Sequence, residues 1–234
     1  KILTGYPDMF PGGLSHSLIG KALKENIFKI ETINLHDFGI DNRKSVDDEP
    51  FGGGPGMILR PDVVEKALLS ISNNQNLNST KIYLTPSGIL LNQEKLGIFS
   101  KLDEIILLCG RFEGVDQRAI DVLGFEEVSI GDYILAGGEI AAQVLLEGCI
   151  RLIPGVLGHP KSLLEESFSN NLLEYPQYTR PQVWEDSLGK KHDVPEVLTS
   201  GHHANIKKWR FDKSVEKTKK IRSDLFIKKE QEQD

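Results

Sequence analysis

The sequence predicts an α/β domain built on a largely parallel sheet, followed by a small C-terminal helical domain. Three observations predict it. Strand-like and helix-like segments alternate through the first two thirds of the chain, the pattern of a sheet with crossover helices. Three successive predicted strands finish in turns rich in Gly or Pro. Around Pro154 to Pro181 the pattern changes, as Pro-Gly, Gly-His-Pro and Ser and Asn clusters interrupt every period. At 234 residues and 39% hydrophobic, the chain can bury one sizeable core, or one core plus a smaller helical domain.

In chain order, Lys1 to Thr4 reads as strand interior and Leu14 to Asn26 as a helix. Strands are expected at Ile30 to Leu35, Lys81 to Thr85, Glu104 to Cys109 and Glu126 to Ile130. Helices are expected at Asp62 to Ser72, Gln93 to Lys101, Val115 to Leu123 and Glu139 to Arg151. The Pro154 to Pro181 stretch reads as a linker that orders when a partner binds. Beyond it, Ser200-Gly201 precedes a helix whose apolar contacts come from Ala204, Ile206, Trp209 and Phe211.

The formal charge of -6 argues against indiscriminate nucleic-acid binding, yet it is unevenly spread. From Gly201 onward ten Lys/Arg face six Asp/Glu, net +4, which leaves 18 against 28, net -10, for the rest. The basic tail is either a solvated helix or a phosphate-contacting surface. Cys109 and Cys149 have no partner at metal-ligand spacing and lie in apolar stretches, where a small buried thiol packs well. The longest apolar runs fall far short of a membrane helix. No basic stretch followed by an apolar signal segment stands at the start, so a cytoplasmic address is expected.

The three turns read Leu84-Thr85-Pro86-Ser87-Gly88, Leu108 to Gly114, and Ser129 to Gly138. In open parallel sheets ligands bind beyond the carboxyl ends of the strands, where Gly lets backbone groups approach closely. One such turn is an ordinary connector; three together suggest a pocket. There is no G-x-x-x-x-G-K-[ST], which argues against a phosphate loop. Gly52-Gly53-Gly54-Pro55-Gly56 fails as a dinucleotide fingerprint, because Asp47, Asp48, Glu49 and Pro50 stand where a buried strand is required; it reads as a flexible loop. A ligand held by backbone without a phosphate cradle fits an adenosine compound such as S-adenosylmethionine (AdoMet).

At these residues the sequence resembles the bacterial tRNA (guanine-N1)-methyltransferases of the SPOUT class. The matching stretches are VDDEPFGGGPGM (Val46 to Met57), LCGRFEGVDQR (Leu108 to Arg118), SIGDYILAGGE (Ser129 to Glu139), RLIPGVLGH (Arg151 to His159), YPQYTRP (Tyr175 to Pro181) and SGHHANIKKWR (Ser200 to Arg210). No single motif decides the matter; their order and spacing do. The resemblance implies a deep trefoil knot in the sheet domain, which the connection rules alone would not propose. It further implies a homodimer whose active sites join the knot of one subunit to the linker and C-terminal domain of the other. The implied layout is a knotted AdoMet-binding domain over residues 1–158, a linker over 159–176 and a tRNA-binding helical domain over 177–234. Tyr83, Leu84, Thr85, Pro86, Gly110, Ser129, Ile130, Gly131, Asp132, Tyr133, Ile134, Leu135, Gly137 and Gly138 match the family's AdoMet positions.

Guanine N1 carries a proton at neutral pH, so methylation there needs a base near N1 and a cation or donors near O6, where negative charge grows. The resemblance places Arg151 at O6 and Glu166 at the base position. Glu166 departs from the family's Asp, as Glu174 does further on, and the extra methylene shifts a carboxylate by roughly a bond length. Gly5 departs from a bulky apolar residue. On the residues alone, Glu165 and Glu166 read first as solvated charges in a linker. Arg111 and Glu113 either pair with each other or hold the target guanine. Asp47, Gly56, His159 and Ser162 complete the implied guanine side, with His159 also readable as a satisfied loop histidine.

His202, His203, Lys207, Lys208 and Arg210 are the candidate contacts to tRNA, whose unstacked loop bases are what proteins read; Trp209 reads as core of the small domain. The resemblance also implies Mg²⁺ dependence, without a carboxylate cage in the sequence to hold the ion. Two other readings stand beside this one: a knotted methyltransferase with another RNA target, and a silent RNA- or AdoMet-binding regulator.

Overall fold

The computed structural model describes residues 1–71, 78–157, 166–168 and 171–225. The chain divides into two compact units, Lys1–Gly158 and His159–Asp234.

The first unit is organised by five strands: β1 (Ile2–Thr4), β2 (Thr32–Asn34), β5 (Ser79–Leu90), β6 (Glu104–Cys109) and β7 (Glu126–Ser129). They pair in the order β2-β1-β6-β5-β7, every pairing parallel. A short antiparallel pair, β3 (Asp47–Asp48) and β4 (Ile58–Leu59), lies between β2 and β5 in the chain. Successive strand residues point to opposite faces, and both faces are covered. Leu3, Tyr83, Ile106 and Leu108 pack with Val63, Val64, Ala67 and Leu68 of α2 (Pro61–Leu69) and Ala119 and Ile120 of α4 (Gln117–Leu123). Ile2, Ile82, Leu84, Leu107 and Cys109 face the other way, onto Phe99 of α3 (Gln93–Phe99) and Ala141, Ala142, Leu145 and Cys149 of α5 (Gly138–Ile150). Burial on both faces is why these strands read as continuous apolar runs. A third cluster joins Ile19 and Ala22 of α1 (Ser17–Lys24) to Ile150 and Val156.

The α/β reading holds: the sheet is five-stranded and parallel, and a helix lies near the C-terminal end of the chain. Several elements differ from expectation. The single helix expected over Leu14 to Asn26 is a 3-10 turn, Gly12–Ser15, followed by α1. His16 is extended between them, and Ser17 has a φ of 55°. Helix α4 starts at Gln117 because the Asp116 side chain accepts a bond from the Arg118 N–H and caps it.

The largest difference is in β5, which does not stop at Thr85. Its register against β7 slips, so that Leu84 and Ile89 both fall opposite Val128 and residues 85–88 bulge outward. Pro86 has no N–H to give a ladder. Gly88 lies so close to β7 that a Cβ there would come within 2.4 Å of the Val128 nitrogen. The first of the three turns is therefore a bulge inside a strand.

In the second unit, β8 (Val183–Glu185) and β9 (Lys191–Asp193) form an exposed antiparallel hairpin that the sequence reading missed. Helices α6 (Glu196–Thr199) and α7 (His203–Ile221) follow. On α7, Ser214 and Thr218 are the buried residues, while Ala204 and Phe211, expected to pack, are exposed. Among the described residues no helix is long and apolar enough to cross a membrane.

Both thiols are buried, Cys109 at 1% and Cys149 at 3% exposure. Burial drives the Cys109 thiol well above its ordinary pKa and the Cys149 thiol up to about 12. Neither thiol is expected to react with a disulfide reagent at pH 8 until the chain unfolds; fast labelling of the native protein would contradict this packing. Leu145, fully buried between α5 and the sheet, tests the core: Leu145→Ala should lower unfolding free energy by about 2–5 kcal/mol in denaturant melts.

Candidate functional site

The carboxyl ends of β5, β6 and β7 converge on a cavity of about 260 Å³. Its wall takes Tyr83, Leu84, Thr85 and Pro86 from β5, Gly110 to Gly114 from the loop after β6, and Ser129, Ile130, Gly131 and Tyr133 to Gly138 from the segment between β7 and α5. Every residue matched above to AdoMet lies in this wall except Asp132, which is exposed beside it. Phe112, Gly114, Val128, Ala136 and Ala141 also contribute, and sequence reading did not name them as site residues.

The cavity depends on close backbone approach. Gly138 donates its N–H to the Gly110 carbonyl at 2.9 Å. A Cβ at Gly138 would meet Cys109 Cα at 2.8 Å, so only glycine fits there. The β7 end is braced locally: Ser129 Oγ accepts from the Gly131 N–H at 3.2 Å, and the Tyr133 hydroxyl donates to the Ile130 carbonyl at 3.2 Å. Tyr83 is almost wholly buried at the back of the cavity, and that burial raises its phenol pKa.

The cation of this wall is Arg111, and its partner is not Glu113 as one sequence reading had it. Arg111 Nε stands 3.0 Å from Oε2 of Glu139, whose side chain is 1% exposed. Neither atom is aligned for a hydrogen bond, so the pairing is coulombic. The other Glu139 oxygen accepts from the Thr4 hydroxyl at 2.8 Å at the end of β1. The Arg111 guanidinium also lies over the Tyr6 ring, 4.2 Å from its centroid. Glu139 sits in the first turn of α5, where the helix dipole favours a carboxylate. Sequence reasoning ended a motif on it without giving it a role. The available signal was a lone carboxylate in the apolar run Gly138 to Leu146, since a buried charge requires a partner.

Glu113 packs instead on the glycine-rich loop. Its N–H donates to the Met57 carbonyl at 2.9 Å, and Gly56 lies directly against its side chain. Gly56, Arg111 and Glu113 are thereby brought to one edge of the cavity, with Asp47 half-buried in the adjoining β3. The Gly52 to Gly56 run is an exposed turn.

Arg151 is elsewhere. It caps the C-terminal end of α5, whereas the cavity holds the N-terminal end. Thirteen residues of helix at 1.5 Å rise separate the two ends by about 20 Å.

In the second unit Glu166 is half-buried at a bend. The segment after it is tied to α7: Leu173 N–H donates to Thr218 Oγ1 at 2.8 Å, Lys217 Nζ to the Glu174 carbonyl at 3.1 Å, and Glu174 N–H to Ser167 Oγ at 3.0 Å. His202, His203, Lys207 and Lys208 are exposed on the first turns of α7, while Arg210 is half-buried over the Tyr175 ring. His159 and Ser162 lie outside the described residues. Among the described residues no group of three His, Cys, Asp or Glu side chains could hold a metal ion.

A parallel α/β sheet with a glycine-rich cavity over its strand ends is the arrangement in which α/β proteins bind small organic ligands. Comparison with known families narrows this class. Residues 1–228 match the family described as tRNA (Guanine-1)-methyltransferase TrmD, and the chain belongs to that family. It is 48% identical over 225 residues to the tRNA (guanine-N(1)-)-methyltransferase of Ehrlichia canis (strain Jake), covering 96% of this chain and 93% of that protein. Identity to the enzyme of the same name from Ruegeria sp. (strain TM1040) is 49% over 226 residues, 97% and 91% of the two chains. The Wolbachia pipientis subsp. Culex pipiens (strain wPip) protein gives 49% over 227 residues, 96% and 95%.

Glu139→Gln keeps the shape of the carboxylate but removes its charge from Arg111. It should lower unfolding free energy by about 1–3 kcal/mol, read from denaturant melts. A variant as stable as the parent would mean that the ion pair contributes nothing.

Proposed function

We propose that this chain methylates N1 of the guanosine immediately 3′ of the anticodon in tRNA, as a homodimer, with AdoMet held in the strand-end cavity of a knotted sheet domain. One observation carries the reading: in a chain of this family, all but one of the residues matched to AdoMet positions converge on one glycine-rich cavity. The glycine turns, the apolar lining and the absence of a phosphate-loop motif suit an adenosine ligand with a short polar tail. When bound, AdoMet supplies an electrophilic methyl group on a sulfonium.

The protein's own residues supply the rest. Tyr83 to Pro86 and Ser129 to Leu135 wall the ligand, and Gly137 and Gly138 let the backbone close on it. Arg111 and Glu113, with Asp47 and Gly56 beside them, orient the guanine at the cavity edge. Glu166 takes the proton from N1 as the N1–methyl bond forms, and Arg151 faces O6, where negative charge grows.

The knot is supported by the contact of Gly138 with Cys109 and Gly110, which lays the entry to α5 against the loop leaving β6. The dimer is supported by the length of α5. Arg151 lies at the far end of α5 from the cavity of its own subunit, and in the proposed dimer the second copy brings it to the base. His202, His203, Lys207, Lys208 and Arg210 contact the anticodon stem-loop, with His159 and Ser162 assigned to the guanine side on resemblance alone.

The test is methyl transfer from labelled AdoMet to two tRNA transcripts that differ only by guanine or adenine immediately 3′ of the anticodon. Labelling of the guanine transcript alone is expected; equal labelling would place the target elsewhere, and labelling of neither would end the enzymatic reading. Glu166→Gln should lose about 10²- to 10⁴-fold in turnover with AdoMet binding intact, and near-normal turnover would remove its role as base.

A further inference from the structure

The second unit holds a cavity of its own, of whose wall the reading above uses only Arg210. About 420 Å³ in volume, it lies among the Tyr175 to Gln182 segment, Val194, α6 and the first turns of α7. Its wall presents three aromatic rings, Tyr175, Tyr178 and Trp209, and two guanidinium groups, Arg180 and Arg210. Tyr178 and Trp209 are tilted at 59° with centroids 6.2 Å apart, and Arg210 lies 4.8 Å above Tyr175. Gln177, Gln182, Thr179 and Thr199 add donors and acceptors, and Val194, Leu198 and Ile206 add apolar surface. No Asp or Glu is among the described residues of the wall, and the Gln177 amide at its edge donates to the Glu174 carboxylate.

Flat rings, planar cations and amide edges, with no carboxylate among the described lining residues, suit a planar ligand that carries negative charge beside it. A nucleobase with its phosphate has that chemistry: bases stack on aromatic and guanidinium faces, amides read their edges, and arginines take the phosphate. The surroundings agree. Lys207 and Lys208 are exposed on the same helix as Trp209, and the chain from Gly201 onward is net positive although the protein is net negative. A purely apolar peptide segment would match neither the Arg180 guanidinium nor the polar side chains of this wall.

We propose that this cavity is a second nucleotide subsite, in which one unstacked base of the RNA substrate stacks among Tyr175, Tyr178 and Trp209 while Arg180 meets its phosphate. This deepens the tRNA-methylation reading and rests on it. The subsite anchors RNA through the C-terminal unit at a nucleotide other than the methylated guanine. It therefore contributes to substrate binding and leaves the chemical step alone.

The chain has two tryptophans, and Trp184 sits in the exposed hairpin outside the cavity wall. In full-length Trp184→Phe protein, emission therefore reports Trp209. Titration with an unmodified tRNA transcript should quench that emission over the concentration range that saturates methyl transfer, while free GMP and AMP at millimolar concentration should not. Tyr178→Leu should raise KM for tRNA about tenfold, and Arg180→Gln should reduce the salt slope of tRNA binding by about one. Both should leave kcat and AdoMet affinity unchanged.

Normal methyl transfer with Trp209 emission unmoved by saturating tRNA would overturn the subsite and leave the methylation reading standing. Quenching by free nucleotide that tRNA fails to displace would overturn the RNA occupant in favour of a free nucleotide. Quenching by tRNA without methyl transfer would uphold the subsite and count against the methylation reading instead. Both target residues are exposed, so the variants should fold; an unchanged thermal melt with unchanged KM in both would also overturn the proposal.

Discussion

The tie between Glu139, Arg111 and Thr4 holds the sheet domain's cavity in shape. Glu139 belongs to α5, Arg111 to the loop leaving β6 and Thr4 to the end of β1, so one buried carboxylate joins three segments far apart in the sequence. A charge taken out of water at that depth is tolerable only with a cation and a donor in place. The same requirement fixes the side chains: with one oxygen engaged by Thr4 and the other facing Arg111, the guanidinium is held over Tyr6 and along the cavity wall. Backbone contact at Gly138 sets the distance between α5 and the β6 loop, and the ion pair sets their orientation.

Much of the sheet was legible because burial on both faces leaves a plain mark. Glu104 to Cys109 was read with its observed limits, and the five long helical segments of the first unit were placed with modest errors at their ends. The failures have physical causes. The Thr85 to Gly88 sequence has the composition of a turn, and nothing local distinguishes a turn from a bulge; the difference lies in β7, whose Val128 stands opposite two residues at once. The hairpin of β8 and β9 was missed because all six of its strand residues are exposed, leaving no alternation of apolar and polar positions to read. Helix α1 was drawn too long because apolar spacing continues through His16 and Ser17, where the backbone does not.

The candidate site divides along the same line. Residues held by the strand ends could be found by asking where glycines gather, and the structure collects them around one cavity. The partner of Arg111 could not be found that way, because Glu113, two residues along, was the obvious carboxylate and Glu139 is separated by a strand and a helix. Pairings across the sheet depend on which strand lies beside which, and the order β2-β1-β6-β5-β7 departs from sequence order. The aromatic wall of the second unit was likewise split among segments that sequence reading treated as linker and helix.

Helix α5 has a consequence of its own. It begins in the cavity wall and ends at Arg151, which makes it a spacer of fixed length. A helix does not stretch, and one residue gained or lost within it would shift everything beyond by 1.5 Å and turn it by about 100°. Along this stretch, side chains can be exchanged one for another, but the number of residues from Gly138 to Ile150 is held constant by two ends that answer to different neighbours.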